Sequence, residues 1–538
     1  MARTPLLRRF QQLVADFKEA DRTGRPVESI QAERRGLSRR DFLKVSGATL
    51  GAAALTGAVP VLARASTPRI AIIGGGIAGL NAALTLRDHG VASTVYEASN
   101  RVGGRMHSDT TSWLNGQTSE HCGELIDTNH TTILSLAQRF GLQTVDLHAA
   151  EPPNSTETYF FGGAYYSAAQ ANTDFQPVFR RLTQDNNAAP FPTLYNSFTE
   201  AGKDLDLMSV YQWIATRVPG GHNSKLGQLL DVAYNIEYGN VTTEQSALNI
   251  IYLLFNTNQF VVFGASDETF HIKGGNERLP RAIAASLPPA SVRLNNRLTG
   301  IVHNSSGTYT LTFQAPEGSI DRDVDHVILT VPFSVLRTIL KSDADYRAAG
   351  FTPLKETAIT QLGYGKNSKL QLQFDTRFWD QPGPWGISTG TSYADTGYQN
   401  AWDVTRAQDG ATGIMVDYTG GGVPLSSFTG DADDPTVVAQ FARTFLDQVE
   451  DVFPGISRHW NGRATLDVPR INPFLLGSYS YWKIGQYTSF SGYEGVRQAN
   501  CHFAGEHCST NFQGFMEGGA EEGDRAAKEI LADYGIPF

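Results

Sequence analysis

The residues with the clearest chemical meaning are three glycines, Gly74, Gly76 and Gly79, which stand in the spacing G-x-G-x-x-G. The first permits a tight turn, the second lets a pyrophosphate approach the backbone, and the third lets a helix pack closely on the preceding strand. Glu97 follows the next apolar run, where an acid receives ribose hydroxyls. The pattern predicts a dinucleotide site, and its alternative is a glycine turn in an ordinary α/β unit.

The flanking sequence supplies the elements that must position these residues. Ile70–Ile73 is a short apolar run typical of a buried parallel strand, and a helix through Asn81–His89 ends at Gly90. Val91–Tyr96 is the second strand, which leads directly to the acid. The sequence therefore predicts a βαβ unit with the glycines in its first turn.

Length and composition restrict the class of protein. A chain of 538 residues with 41% hydrophobic content can bury a large core, and its length indicates two or three domains. The net charge is −10 and no basic run follows the first 65 residues, so we predict no nucleic-acid partner. The cysteines are too few for a disulfide framework or a four-ligand zinc site: Cys122, Cys501 and Cys508.

Residues 1–65 have the features of an export signal. Ser38–Lys44 fits the S-R-R-x-F-L-K pattern of a twin-arginine signal, and Ala63–Ala65 offers a small-x-small cleavage site. The mildly apolar stretch Val45–Leu62 lies between them, and its retention as a membrane anchor is the alternative. We expect export of the folded protein by the twin-arginine machinery to the periplasm or the cell exterior.

Two further stretches carry a family resemblance. Ser99–Arg105 contains R-x-G-G-R directly after the predicted ribose-binding acid, and Cys501–Ala527 reads CHFAGEHCSTNFQGFMEGGAEEGDRAA. In both stretches the chain resembles the flavin-containing amine oxidases, a family that includes monoamine, polyamine and L-amino acid oxidases. The resemblance extends over residues 69–127, 270–332, 362–379 and 473–527. It favours FAD over NAD as the dinucleotide.

The resemblance implies an α/β fold with two discontinuous domains. A Rossmann-like FAD-binding domain would be assembled from residues 66–145, 268–335 and 473–538. Residues 146–267 and 336–472 would form an α+β substrate domain of mixed sheet and helices. A homodimer is left open.

The resemblance also implies which residues contact the cofactor. Ser478 stands where monoamine oxidases carry a covalently linked cysteine, so we predict non-covalent FAD. A helix N-terminus near Met516 would stabilise the negative charge that develops on the reduced flavin. Glu506 would bind ribityl hydroxyls. The cofactor-binding residues implied are Gly74, Gly76, Ala78, Gly79, Glu97, Ala98, Gly104, Arg105, Gly123, Glu124, Val292, Glu506, Gly514, Phe515 and Met516.

The reacting groups are assigned on the same resemblance. Lys369 would hold a water against flavin N5, with Lys366 as the second candidate. Tyr479 and Phe515 would form an aromatic cage for the amine, and simple packing is the alternative for both.

Two acids near the glycine-rich segments bear on the substrate. Glu124 and Asp127 place carboxylates where a substrate ammonium or guanidinium could be held, unless they are only solvated or capping acids. Leu125 stands where L-amino acid oxidases carry a carboxylate-binding arginine, which weakens the case for simple L-amino acids. Tyr418 or an arginine of the inserted domain could replace that arginine.

Two other patterns receive a structural interpretation. Gly386–Gly390 spells the hydrolase elbow G-x-S-x-G, but no helical period follows it, so we reject a hydrolase site. The cluster Cys501, His502, His507 and Cys508 is interpreted as structural, and we predict no metal.

The resemblance implies oxidative deamination of an amine. Hydride would pass from the carbon bearing nitrogen to the flavin, an imine would hydrolyse to a carbonyl compound and ammonia, and molecular oxygen would become hydrogen peroxide. The substrate could be a monoamine, a polyamine or an L-amino acid, including a basic one on account of Glu124 and Asp127. A dehydrogenase or desaturase that reduces a quinone is the second hypothesis, and a non-catalytic exported flavoprotein is the third.

Overall fold

A computed structural model describes residues 68–255, 260–264 and 266–538. The predicted signal peptide at 1–65 lies outside these residues, so it stays a prediction. Pro68–Phe538 forms one compact unit. Within the described ranges, no helix has the length and apolarity that a membrane span requires.

The strands of the described residues form two large sheets and several small ones. In chain order they are β1 Ile70–Ile73, β2 Thr94–Tyr96, β3 Ser108–Asp109, β4 Ser119–Glu120, β5 Thr144–Asp146, β6 Thr156–Phe161, β7 Ala164–Tyr166, β8 Phe270–Ile272, β9 Val292–Arg293, β10 Arg297–His303, β11 Tyr309–Ala315, β12 Gly318–Val324, β13 His326–Leu329, β14 Gly363–Tyr364, β15 Ser368–Phe374, β16 Ser388–Ala394, β17 Asn400–Asp403, β18 Gly413–Thr419, β19 Trp460–Asp467, β20 Ser480–Tyr481 and β21 Cys501–Phe503.

The α-helices of the described residues flank these sheets. In chain order they are α1 Ile77–Asp88, α2 Thr131–Arg139, α3 Ala168–Ala188, α4 Glu200–Asp206, α5 Val210–Arg217, α6 Lys225–Tyr238, α7 Ala247–Leu254, α8 Arg278–Ser286, α9 Phe333–Leu336, α10 Asp343–Ala348, α11 Pro353–Gln361, α12 Pro435–Glu450, α13 Gln486–Phe490 and α14 Met516–Asp533.

A five-stranded parallel sheet carries the glycine turn. Its order is β21-β13-β1-β2-β9, with the fully buried β1 in the centre. The pairings of Ile72 with Ile328 and with Val95 fix its register. Helices α1 and α14 pack on each other beside it. Ligands bind such sheets at the carboxyl ends of the strands, and the G-x-G-x-x-G turn follows the carboxyl end of β1.

A seven-stranded mixed sheet of order β19-β15-β18-β17-β16-β6-β7 forms the other half. The architecture is therefore mixed α/β, as predicted. The predicted domain borders stay a prediction, although the two sheets draw their strands from different segments of the chain. The rejected G-x-S-x-G segment enters β16 and has no helix directly after it.

Strand β15 is buried on both faces, which its alternating sequence did not indicate. Leu370, Leu372 and Phe374 face the apolar core of the seven-stranded sheet. Gln371 donates from Nε2 to the Glu120 carbonyl at 3.4 Å, so the polar face is covered by the segment after β3. This packing turns Lys369 toward the cofactor half.

The start of α2 is capped from another helix. The N-cap residue is His130, whose side chain makes no capping bond. Instead the buried Glu517 carboxylate accepts from the N–H groups of Thr132 and Ile133, at 2.8 Å each. The cap is thus supplied from α14, far away in sequence.

We expect Glu517→Ala to lower the free energy of unfolding by about 1–3 kcal/mol, because two N–H groups lose their acceptor. The measurement is denaturant unfolding of the flavin-loaded protein. Lys528→Ala on the same helix is the control; its pair with Asp524 at 2.7 Å is exposed, so a loss below about 1 kcal/mol is expected. Equal losses in the two variants would contradict the assignment of Glu517 as the cap.

Candidate active site

The first glycine turn is shaped by one close packing contact and one open position. Gly74 has φ +111°, and its N–H donates to the Tyr96 carbonyl at 2.9 Å. A Cβ on Gly79 would lie 2.0 Å from the Gly74 carbonyl oxygen, so only glycine lets α1 approach the turn. Gly76 has φ −77°, which any residue adopts, and a Cβ there would meet only the Gly103 oxygen at 3.9 Å. Gly76 therefore leaves space toward the cavity.

The second glycine loop lies directly on the first. The Gly103 N–H donates to the Gly75 carbonyl at 2.8 Å. Gly104 has φ +56°, and a Cβ on it would stand 3.4 Å from the Gly76 Cα. The two loops together form one backbone wall of a cavity.

Glu97 sits at the end of β2, where the sequence predicts a ribose-binding acid. Its Oε2 accepts from the Gly75 N–H at 2.7 Å and its Oε1 accepts from the Ser99 N–H at 2.8 Å. Each carboxylate oxygen has a further lone pair, and Glu97 and Ala98 both line the cavity.

Glu506 joins three distant segments of the chain. Its Oε1 accepts from Arg105 Nη1 at 2.9 Å, and its Oε2 accepts from the Ser480 hydroxyl at 2.7 Å and the Gly514 N–H at 2.9 Å. Burial alone would raise the pKa of this carboxyl, but the Arg105 guanidinium holds it below its usual value. The predicted contact of Glu506 with ribityl hydroxyls stays a prediction, since protein donors already occupy both oxygens.

The N-terminus of α14 forms a further part of the wall. Gly514 has φ +87°, and Gly514, Phe515 and Met516 line the cavity. The first N–H groups of a helix have no acceptor within the helix, so they offer donors and a positive dipole end. The Met516 sulfur lies 3.0 Å from where a Cβ on Gly123 would stand, which explains that glycine.

One continuous cavity of about 1000 Å³ connects these features. It brings together most of the predicted cofactor residues with Lys369 and Tyr479. Three predicted site residues do not line it. Gly79 acts through packing, Val292 pairs with Val95 inside the sheet while Asn296 borders the cavity nearby, and Asp127 is directed away.

The placement of Asp127 corrects its predicted role in gripping the substrate. Its carboxylate accepts from the Ser266 hydroxyl at 2.9 Å and from the Glu268 N–H at 2.9 Å. Burial raises the pKa of this carboxyl to about 7. Asp127 therefore holds the loop before β8, in which Ser266, Asp267 and Glu268 line the cavity.

Glu124 lines the cavity but is already paired. Its Oε2 lies 2.7 Å from Lys369 Nζ, and its Oε1 accepts from Trp402 Nε1 at 3.0 Å. Burial would raise the pKa of this carboxyl, but the Lys369 ammonium holds it below its usual value. Because a protein cation compensates its charge, Glu124 does not fit the predicted role of counter-ion to a substrate ammonium.

Aromatic side chains line the cavity beside Lys369. The hydroxyls of Tyr418 and Tyr479 lie 3.1 Å apart, and the rings of Trp402 and Tyr418 lie 5.1 Å apart. Phe515 and Tyr479, the predicted cage, both line this region. Trp402 belongs to no sequence motif, so the sequence offered no signal for it.

Carboxylates missed by the sequence analysis occupy the part of the cavity formed by the inserted segments. Glu157 lies in β6 and accepts from the Tyr159 hydroxyl, and Glu268 lies in the loop that Asp127 holds. Burial raises the pKa of Glu268 to about 8; the Asp127 and Glu157 carboxylates add to the rise, and the Arg406 guanidinium opposes it. Among the residues that the structure describes, neither acid forms an ion pair with a protein cation, whereas Arg406 pairs with Glu151 at 3.0 Å.

A sequence profile of flavin containing amine oxidoreductases matches residues 77–531. The chain belongs to this family. A flavin is therefore the cofactor of this amine oxidoreductase, and the G-x-G-x-x-G turn with Glu97 makes it FAD. The residues present fit that group, because the open cradle at Gly76, the ribose-side acid and the α14 N-terminus line one cavity.

The amine oxidoreductase has relatives with different named activities. Polyamine oxidase 4 of Oryza sativa subsp. japonica is 24% identical over 88% of this chain and 91% of its own length. Nicotine dehydrogenase of Pseudomonas putida is 24% identical over 92% of this chain and 97% of its own. A double mutant of putrescine oxidase superposes with a TM-score of 0.71 at 19% identity, covering 86% and 99%, which shows the shared fold.

One histidine cluster has metal-ligand geometry. In the described part of the amine oxidoreductase, one ligand atom each from His326, His502 and Asp533 lie within 4.8 Å of one another. The two rings bond each other at 3.3 Å, and His502 Nδ1 also meets Glu529 at 2.6 Å. Asp533 pairs with Arg497 at 2.8 Å. These partners account for the cluster as a structural network.

We expect Gly76→Ala to weaken FAD binding at least about tenfold, because its Cβ enters the space left for the pyrophosphate. The measurement is flavin fluorescence titration of the apoprotein. Gly300→Ala in β10 is the control, since its Cβ would meet Thr312 at an ordinary 3.4 Å outside the cavity. An unchanged dissociation constant for Gly76→Ala would contradict the assignment of the cradle.

Proposed function

We propose that this protein oxidises a diamine or polyamine, an amine that carries a second cationic group. The observation that carries the proposal is the pair Glu157 and Glu268, which line the cavity and form no direct ion pair within the described residues, while the Arg406 guanidinium acts on both from a distance. Two buried like charges repel, and a bound ammonium between them would remove that cost. The names of two similar proteins, the rice polyamine oxidase and the putrescine oxidase, agree with this substrate class.

The residues that line the cavity have separate roles in binding the substrate and in the reaction. Glu157 and Glu268 hold the remote ammonium, while Tyr479, Tyr418 and Phe515 surround the reacting amine and exclude water. When bound, FAD would supply the acceptor for a hydride from the carbon next to nitrogen, and oxygen would reoxidise it to give hydrogen peroxide. The imine product is hydrolysed to a carbonyl compound. The α14 N-terminus contributes positive potential, and Lys369 Nζ holds a water in the cavity wall.

We also propose that FAD is bound without a covalent link. Ser478 has no thiol to offer, and its hydroxyl donates to Asn367 Oδ1 at 2.5 Å. Acid denaturation should therefore release the flavin completely into the protein-free filtrate, measured by absorbance. Flavin that stays with the precipitated chain would contradict this proposal.

A basic L-amino acid is the second candidate substrate. Arg406 lines the cavity and could bind a carboxylate if Glu151 releases it. It would then replace the arginine that is absent at position 125, where the chain has Leu125.

The electron acceptor is a separate question. The name of the nicotine dehydrogenase relative supports the alternative, an electron acceptor other than oxygen.

The test is anaerobic bleaching of the flavin by diamines, polyamines, monoamines and basic L-amino acids. We expect putrescine-like diamines to bleach it at the lowest concentrations. Glu157→Gln and Glu268→Gln should raise KM for diamines at least about tenfold, because a charge-assisted hydrogen bond is lost, and leave monoamines nearly unaffected. Bleaching by amino acids alone would overturn the proposal.

The control variant is Glu317→Gln in the exposed turn before β12, which should change no KM. Because the pKa of Glu268 is raised to about 8, the acid becomes charged as pH rises through that value, and diamine affinity should rise with it. Glu268→Gln should remove this step. Admission of air then separates an oxidase, which regains its yellow colour and forms peroxide, from a dehydrogenase, which stays reduced.

A further inference from the structure

The ion pair between Lys369 and Glu124 is enclosed in the wall of the cavity. Both side chains are only 6% exposed, and their charged atoms lie 2.7 Å apart. A buried pair of this kind persists only if its remaining donors and acceptors are satisfied, because both charges have left water. The Glu124 carboxylate meets this condition through Trp402 Nε1 at 3.0 Å.

Two hydrogen-bond acceptors fix the orientation of the Lys369 ammonium. It donates to Glu124 Oε2 and, at 3.3 Å, to the Glu120 carbonyl. An ammonium has three donors, and among the described residues no third acceptor is found for it. Lys369 lines the cavity, so the remaining N–H is available to a water or to the bound cofactor.

The backbone that carries Glu124 is held as firmly as its side chain. Asn276 Nδ2 donates to the carbonyls of Gly123 at 3.1 Å and Glu124 at 2.6 Å. The Asn276 N–H in turn donates to Glu120 Oε1 at 2.7 Å. Because both the backbone and the carboxylate of Glu124 are held, Glu124 can keep the Lys369 ammonium in one position.

We propose that Glu124 is a positioning residue for Lys369, which keeps its ammonium oriented and electrically balanced beside the cofactor cavity. The inference rests on the proposed role of Lys369 next to FAD. It replaces the predicted contact of Glu124 with substrate, since a substrate ammonium would have to displace Lys369 from a pair already closed at 2.7 Å.

Other titratable groups face Lys369 and must be considered in any pH experiment. Strand β15 places it between Tyr418 of β18 and Asp467 of β19. The groups whose titration Lys369 influences, or that neighbour it in the sheet, are Glu120, Cys122, Glu124, His271, Tyr418 and Asp467. Glu124 is the carboxylate in direct contact with it.

The experiment measures the flavin midpoint potential of substrate-free holoenzyme between about pH 6 and about pH 9, as the difference between each variant and wild type. This difference cancels the pH dependence of the flavin itself. In Glu124→Gln, the unbalanced ammonium should shift the potential to more positive values at low pH. The shift should fade as pH rises, because a buried ammonium without its partner releases its proton more readily.

In the double variant Glu124→Gln with Lys369→Met, the potential difference should no longer change with pH in this way. That result would identify Lys369 as the source of the change. Glu124→Asp keeps the charge and should follow wild type. Glu120→Gln is the comparison for a buried exchange nearby. Burial raises the pKa of Glu120 to about 8, so the potential difference between this variant and wild type should grow as pH rises, opposite to the trend of Glu124→Gln. A potential of Glu124→Gln that tracks wild type over the whole range would overturn the proposal. No substrate is present, so failure of the diamine proposal would not affect this result.

Discussion

The cavity of this amine oxidoreductase depends on one buried carboxylate. Glu506 receives donors from Arg105 in the second glycine loop, from Ser480 and from Gly514 before the last helix. Removing one partner of a buried ion pair leaves an uncompensated charge, so the three segments are mutually required. The glycine loops and the helix N-terminus can form opposite walls of one cavity only because this junction holds them in place.

The second requirement is that β15 of the seven-stranded sheet packs against the segment that contains Glu120 and Glu124. Its apolar side chains pack into the seven-stranded sheet, while Lys369 and Gln371 reach toward the segment that contains Glu120 and Glu124. Strand geometry directs alternate side chains to opposite faces, so one strand can belong to the substrate core and still deliver an ammonium to the cofactor wall. Lys369 is thus positioned by a rigid element rather than by a loop.

Local patterns predicted much of this and failed where partners are remote. The turn at Gly74–Gly79, Glu97 and the motif around Lys369 follow from spacing and family resemblance, and the mixed α/β fold is confirmed. Glu124 and Asp127 were also expected near the substrate, but their roles depend on Lys369, 245 positions away, and on Glu268, 141 positions away. Glu157 and Glu268 belong to no motif, so only the fold reveals that they share a cavity.

The separation of Arg105 and Glu506 by 401 positions has a consequence for the order of synthesis. On the ribosome, the glycine turn and its acid emerge early, yet Glu506 and the start of α14, which line the same cavity, emerge much later. A nascent chain that has completed the first βαβ unit therefore still lacks the groups that close the cavity around a flavin. Cofactor capture becomes a late event in biogenesis, and a ribosome that stalls before Glu506 leaves a chain that cannot retain it.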